Sequence, residues 1–167
     1  MSSQDEIQPA MQGGEVKVVV LPELKLVGIR VVAGDAKGYE EQIPLAFERL
    51  QGRLSEIAVR VEPLRLYGAY YASDESGQED GYWACAEVEE SLVVPEGMES
   101  VTVPPQSYAV IEHRGPIRQV YQTYEQLHRW IADKGYKRIL RAWHLERYEV
   151  AEDNTMIIHL HDTITVD

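Results

Sequence analysis

The sequence predicts an α+β fold in which one unit, strand, helix, strand, strand, is used twice. Two observations predict it. Between residues 101 and 136 (VTVPPQSYAVIEHRGPIRQVYQTYEQLHRWIADKGY) an alternating strand runs through Gly115-Pro116 straight into an amphipathic helix, so the side-chain period changes from two to the helical repeat. The same order of elements can be laid over residues 16–91 with little identity of letters, which makes the repeat one of pattern.

Taken in order, residues 16–33 are strand-rich, with an interruption at Leu21-Pro22-Glu23. Residues 34–38 make a turn. Ile43, Phe47, Leu50, Leu54 and Ile57 then step by threes and fours along one helix face, with Pro44 expected in the first turn, where a missing N–H costs nothing. Residues 64–72 and 82–91 read as strands joined by the polar loop 73–81. In the second half Ile117, Val120, Tyr121, Tyr124, Leu127 and Ile131 share a helix face, with Pro116 at its start and Gly135 as its stop. Residues 145–150 and 155–166 are strands around the turn 151–154.

A chain of 167 residues, 44% of them hydrophobic, is long enough for one well-buried core and too short for two comfortable ones. The expected organisation is a flexible tail over residues 1–14 and a single domain over 15–167, with pseudo-repeats at about 15–92 and 99–166. With 16 Lys+Arg against 28 Asp+Glu, the net charge of -12 repels phosphate backbones and anionic membranes, so direct nucleic-acid or membrane binding is not expected. Cys85 is the single cysteine, which rules out an internal disulfide and fits a reducing cytoplasm. No apolar run is long enough to span a bilayer, and the polar, acidic start lacks the pattern of a signal peptide.

Ten tyrosines and three tryptophans stand against one phenylalanine. Rings with polar ends suit a surface that meets both an apolar ligand and water. If helices cover one face of the sheet, the other is left as a concave, aromatic-lined candidate pocket. On strand 64–72 alternation sets Tyr67 and Tyr71 with Ala69, and Tyr70 with Gly68, so only one set can face a cavity. Packing within the sheet is the alternative for each tyrosine. Trp83 and Trp143 sit at matching strand edges, although parity sets Trp143 opposite Glu146; Trp130 reads as a helix residue packed on the sheet.

Glu146 shares a strand face with Tyr148. Facing an aromatic cavity, such a carboxylate would be partly desolvated, and could pair with a cationic ligand or work as a general acid or base. On the residues alone a solvent-facing carboxylate paired across the sheet is the leading alternative. His159 and His161 point the same way, as a metal pair would, but no third ligand is evident and Asp162 points to the other face. His113, His128 and His144 stand alone and support no triad. There is no phosphate-binding glycine loop or nucleophile elbow, so no metal and no cofactor is expected, and an isolated histidine is a poor argument for haem.

The segments KLVGIRVVAG, YWACAEVEE, PPQSYAVIEHRGPI and the Glu-x-Tyr of LERYEV resemble the GyrI-like effector-binding family over nearly the whole chain. The resemblance implies duplicated β-α-β-β units forming a curved antiparallel sheet, two helices on one face, and a central small-molecule pocket. It also implies that Glu146 is the pocket acid, which reverses the odds just given. Some members of that family are fused to helix-turn-helix regions as drug sensors; this chain, without such an extension, resembles the stand-alone type. The ligand-contact candidates are then Tyr67, Tyr71, Trp83, Tyr108, Trp143, Glu146 and Tyr148. The expected function is capture of an apolar or aromatic, often cationic, small molecule. The alternative is a hydrolase opening cyclopropane-bearing natural products, with Glu146 activating water and a tyrosine such as Tyr148 or Tyr71 assisting. A protein partner, either a transcription regulator or a topoisomerase that an acidic surface would engage, is a third and weaker expectation.

Overall fold

The computed structural model describes residues 14–71, 80–90 and 93–166. Most of the expected tail and of the loop 73–81, and the end of strand 82–91, lie outside the described residues. In chain order the elements are β1 Lys17–Leu21, β2 Leu24–Val31, α1 Ala36–Gly52, β3 Leu66–Tyr71, β4 Tyr82–Val88, β5 Glu99–Val103, β6 Gln106–Arg114, α2 Val120–Asp133, β7 Lys137–Arg138, β8 Trp143–Val150 and β9 Met156–Thr165. All the strands join one antiparallel sheet in the order β1-β6-β9-β8-β3-β4-β2-β5, with the short β7 on β9. The fold is therefore α+β, and the unit β2-α1-β3-β4 recurs as β6-α2-β8-β9.

The two units meet at the β3–β8 seam, where Gly68 lies opposite Glu146 and Tyr67 opposite Arg147. Their leading strands are exchanged. β1 precedes the first unit but pairs with β6 of the second, Val19 opposite Tyr108. β5 precedes the second but pairs with β2 of the first, Leu26 opposite Val101. Only Pro22-Glu23 separates β1 from β2, and only Pro104-Pro105 separates β5 from β6. Two residues bridge no more than about 10 Å, so strands far apart in the pairing order must meet at these links, and the sheet curls. The single alternating strand expected up to Gly115 is thus two strands, because proline donates no ladder hydrogen bond and pins φ.

Curling gives the sheet an inside. Leu24, Leu26, Cys85, Val103, Tyr108 and Leu145, contributed by both units, form one inner core. The outer face carries two further clusters, one per helix. Ala46 and Leu50 of α1 pack on Val27, Ile29 and Ala84; Leu127 and Ile131 of α2 pack on Ile111, Ile158 and Leu160. Helix α1 starts earlier than its apolar spacing suggests, because the Asp35 side chain caps it by accepting a hydrogen bond from Gly38 N at 2.9 Å. Pro44 therefore stands inside α1 rather than in its first turn. The helix also ends at Gly52, and Leu54 and Ile57 continue its apolar face through a single 3₁₀ turn, Leu54–Glu56. Helix α2 follows the 3₁₀ turn Ile117–Gln119 and closes at Gly135, whose φ of 81° is left-handed, with Tyr136 N donating to Ile131 O at 3.1 Å.

His161 lies on the inner face, buried edge-on against Tyr108 at 5.4 Å. Burial pushes its imidazole down to about 4, and the nearby Arg147 and His159 push the same way. The unfolded chain takes up this proton near the ordinary histidine range, the folded chain only near 4, so stability should fall as pH drops through the interval between them. The expected loss is up to about 3 kcal/mol, visible as a declining urea midpoint in the native protein. His161→Phe, which cannot titrate, should remove that part of the slope; an unchanged slope would show that other groups carry it.

Candidate functional site

Between α1 and α2, over the β3–β8 seam, lies a cleft of about 1170 Å³. Its floor is made by Leu66, Tyr70, Tyr82, Glu146 and Tyr148, with Tyr39, Ile43, Pro44 and Phe47 on the α1 side and Val120, Tyr121, Tyr124 and His128 on the α2 side. The site therefore sits on the face that carries the helices. The helix-free face, expected to hold the pocket, is largely closed by the curl into the packed inner core.

Strand parity decides which side chains arrive. On β3, Leu66 and Tyr70 point into the cleft, with Gly68 between them on the same face, and on β8 Glu146 and Tyr148 do. Tyr82 comes from β4 and reaches Glu146 by lying across β3. It can do so only because residue 68 is glycine: a Cβ there would stand 1.6 Å from the Tyr82 hydroxyl oxygen. Tyr82 OH donates to Glu146 Oε1 at 2.6 Å, and Tyr148 OH donates to the same oxygen at 3.2 Å. Tyr124 OH, from α2, donates to Oε2 at 2.5 Å. Because that proton is committed, Tyr70 OH supplies the one it shares with Tyr124 at 2.9 Å. Phe47 of α1 packs on Tyr148, ring centroids 4.6 Å apart, and Tyr70 stacks on Tyr82.

Burial first, and then the Glu146 charge, raises all four phenols above the ordinary tyrosine range. They are neutral donors at physiological pH. Glu146 is thus a half-buried carboxylate held by three hydroxyls, and among the described residues no Lys, Arg or His lies within ion-pair distance of it.

A second polar group borders the cleft. Asp162, 1% exposed, accepts a hydrogen bond from Arg138 Nε at 2.7 Å. His128 Nε2 and His144 Nδ1 stand 2.8 and 3.0 Å from its oxygens, at ion-pair distance but without hydrogen-bond alignment. Burial alone would raise this carboxyl, yet His128, His144 and Arg138 hold it well below the usual range. The expectation that His128 and His144 stand alone is corrected here: α2 and β8 bring both to Asp162 on β9.

Of the expected contact residues, Glu146 and Tyr148 come together in the cleft. Tyr71 reaches its rim while its ring packs on Trp143 at 4.7 Å. Tyr67, Trp83, Tyr108 and Trp143 do not line the cleft, because their strand parity turns them to the inner face. There Trp83 stands edge-on to Trp143 and donates from Nε1 to Glu99 at 3.1 Å. Tyr108 is fully buried, its phenol pushed up to about 12 by burial, and accepts from Gln106 Nε2 at 2.7 Å. Tyr82 and Tyr124 are the members that sequence reasoning missed. Tyr124 appeared only as one of the helix's apolar positions. The signal for Tyr82 was the Gly68 gap in the strand beside it, which has meaning only once the strand order is known.

Residues 14–160 match the family model of the GyrI-like small molecule binding domain. The chain belongs to that family and is a small-molecule-binding domain of its type. It is similar to the transcriptional regulator BrlR of Pseudomonas aeruginosa, with 32% identity over 120 residues, 71% of this chain and 43% of the regulator; the matched stretch is thus less than half of that protein. Among solved structures it resembles SAV2435 bound to tetraphenylphosphonium, with a TM-score of 0.70, 18% identity, and 91% and 94% of the two chains covered. It also resembles the EcmrR C-terminal domain, with a TM-score of 0.68, 16% identity, and 90% and 97% covered. Among the described residues no helix is long and apolar enough to cross a membrane.

A side chain at residue 68 would dislodge Tyr82. Gly68→Ala, which in an unobstructed strand would be neutral or stabilising, should instead cost about 1–3 kcal/mol in urea unfolding. Combining it with Tyr82→Phe, which removes the hydroxyl nearest the new Cβ, should recover part of that loss. Equal costs in both backgrounds would show that the hydroxyl is not what the glycine accommodates.

Proposed function

We propose that the cleft captures an apolar, aromatic cation, with Glu146 as its counter-charge. The observation that carries this reading is the state of Glu146: an ionisable group taken partly out of water, solvated by phenol hydroxyls, and left without a basic partner among the described residues. The three hydroxyls occupy lone pairs of the carboxylate without bringing an opposing charge, so its charge is left for a ligand in an aromatic setting. A cation entering the cleft meets both that charge and the π-faces of Tyr70, Tyr82 and Phe47, each such contact worth about 0.5–2 kcal/mol. Other cleft-lining charges add to the bias. Glu40, Glu41, Glu48 and Asp80 outnumber Arg118 and Arg138, and Arg138 is already engaged by Asp162. The likeness to a structure holding tetraphenylphosphonium supports the same ligand class.

A site that relies on one diffuse charge and on aromatic surface, with few directional contacts to the ligand, accepts many cations of similar size. That suits sensing or sequestration of xenobiotics, with any further output passing through a partner protein. Titration with tetraphenylphosphonium, followed by calorimetry, should give saturable one-to-one binding. Glu146→Gln, which keeps the shape and removes the charge, should weaken it by roughly tenfold or more, about 1.4 kcal/mol; undiminished binding by that variant would remove Glu146 from the site. A hydrolase would use the same residues but would consume excess substrate. Turnover of a cyclopropane-bearing compound by the native chain, absent in Glu146→Gln, would replace the binding reading.

A further inference from the structure

The inner face of the sheet holds a second cavity, of about 410 Å³, where β1, β3, β6, β8 and β9 come together at one end of the curled sheet. One side is apolar, formed by Val19, Leu21 and Val110. The other presents Arg65, Tyr67, Arg147, His159 and His161. No carboxylate lines it, in a chain with 28 acidic residues against 16 basic ones.

The cross-strand register shows how these groups are arranged. Arg147 on β8 lies directly opposite Tyr67 on β3 and directly opposite His159 on β9, so three side chains stand in a row across three strands about 4.8 Å apart. Its neighbours have partners of their own. Arg65 is 3.4 Å from Glu87, His159 Nε2 is 2.6 Å from Glu149, and Glu112, opposite His159 on β6, is held by Arg114 at 3.2 Å. His161 Nδ1 is 2.8 Å from the His159 carbonyl, to which it donates. The half-buried Arg147 guanidinium, with five N–H donors, has no hydrogen-bond or ion-pair partner among the described residues. A guanidinium held partly out of water beside a phenol donor, and facing an apolar wall, is complementary to a carboxylate carrying an apolar body.

We propose that this inner cavity is a second ligand site, for a small aromatic or aliphatic carboxylate, with Arg147 as the anion-binding group and Val19, Leu21 and Val110 holding the apolar part. The site is separate from the cleft, lies on the opposite face of the sheet and prefers the opposite charge, so it does not depend on the cation-binding reading.

The test is calorimetric titration with benzoate, with tetraphenylphosphonium as the probe of the cleft and inorganic phosphate as the anion without an apolar body. The native chain is expected to bind benzoate saturably. Arg147→Gln should weaken this at least tenfold while leaving tetraphenylphosphonium binding and the far-ultraviolet circular dichroism unchanged. Val19→Glu, which places a carboxylate in the apolar wall, should do the same without touching the arginine. Absence of saturable benzoate binding, or binding that both variants preserve, overturns the proposal. Phosphate competing as well as benzoate overturns the assigned class.

Discussion

The fold depends on the shortness of two links. Pro22-Glu23 and Pro104-Pro105 leave no chain to spare, so the strands on either side must come together at one end although they belong to opposite reaches of the pairing order. Everything else follows from that constraint. The sheet curls, its inner face becomes a core supplied by both units, and the helices are confined to the outer face. Each helix then covers its own half of the sheet, and the gap between them falls over the central seam. Exchange of the leading strands also makes each half depend on the other. Without β1, β6 would be an uncovered edge; without β5, β2 would be.

Within the cleft the arrangement is one carboxylate ringed by three hydroxyl donors in aromatic surroundings. A half-buried acid is costly unless its lone pairs are used, and a lysine or arginine would use them at the expense of any cationic ligand. Phenols use them without cancelling the charge. This gives the tyrosine-rich composition a physical reason, since phenylalanine would supply the same rings but none of the protons that Tyr82, Tyr124 and Tyr148 donate to Glu146. The nearby Asp162 shows the contrasting arrangement: fully buried, surrounded by Arg138, His128 and His144, and so electrostatically satisfied by the protein itself.

Periodicity made the elements legible, because a helix or strand with one buried face writes its repeat into the sequence. The duplicated β-α-β-β order and the Gly135 stop were readable in that way. The start of α1 was not, since the apolar spacing begins at Ile43 while the Asp35 cap opens the helix earlier and leaves Pro44 inside it. For the site, alternation alone paired Glu146 with Tyr148 and separated Tyr70 from Tyr67 and Tyr71. It did not say which face was occupied by ligand-accessible space, because that depends on how the sheet curls, a property of the links and not of any one strand. Tyr67, Trp83, Tyr108 and Trp143 were assigned to the site on aromatic character and went instead to the inner face. His128, His144 and Asp162, from α2, β8 and β9, meet only through tertiary packing, and no local spacing records such a meeting.

Gly68 and Glu146 are register partners on the two strands at the centre of the order, one from each repeat. A duplicated frame offers two neighbouring places beside its own axis, and like groups placed in both would confront one another at about 5 Å. Acids in both would repel; side chains in both would leave Tyr82 no way across. By having a glycine in one repeat and a glutamate in the other, the chain breaks its internal symmetry at the point where symmetry would be most costly. The duplication therefore yields one cleft over the seam with one carboxylate at its floor, where the architecture offers two equivalent places.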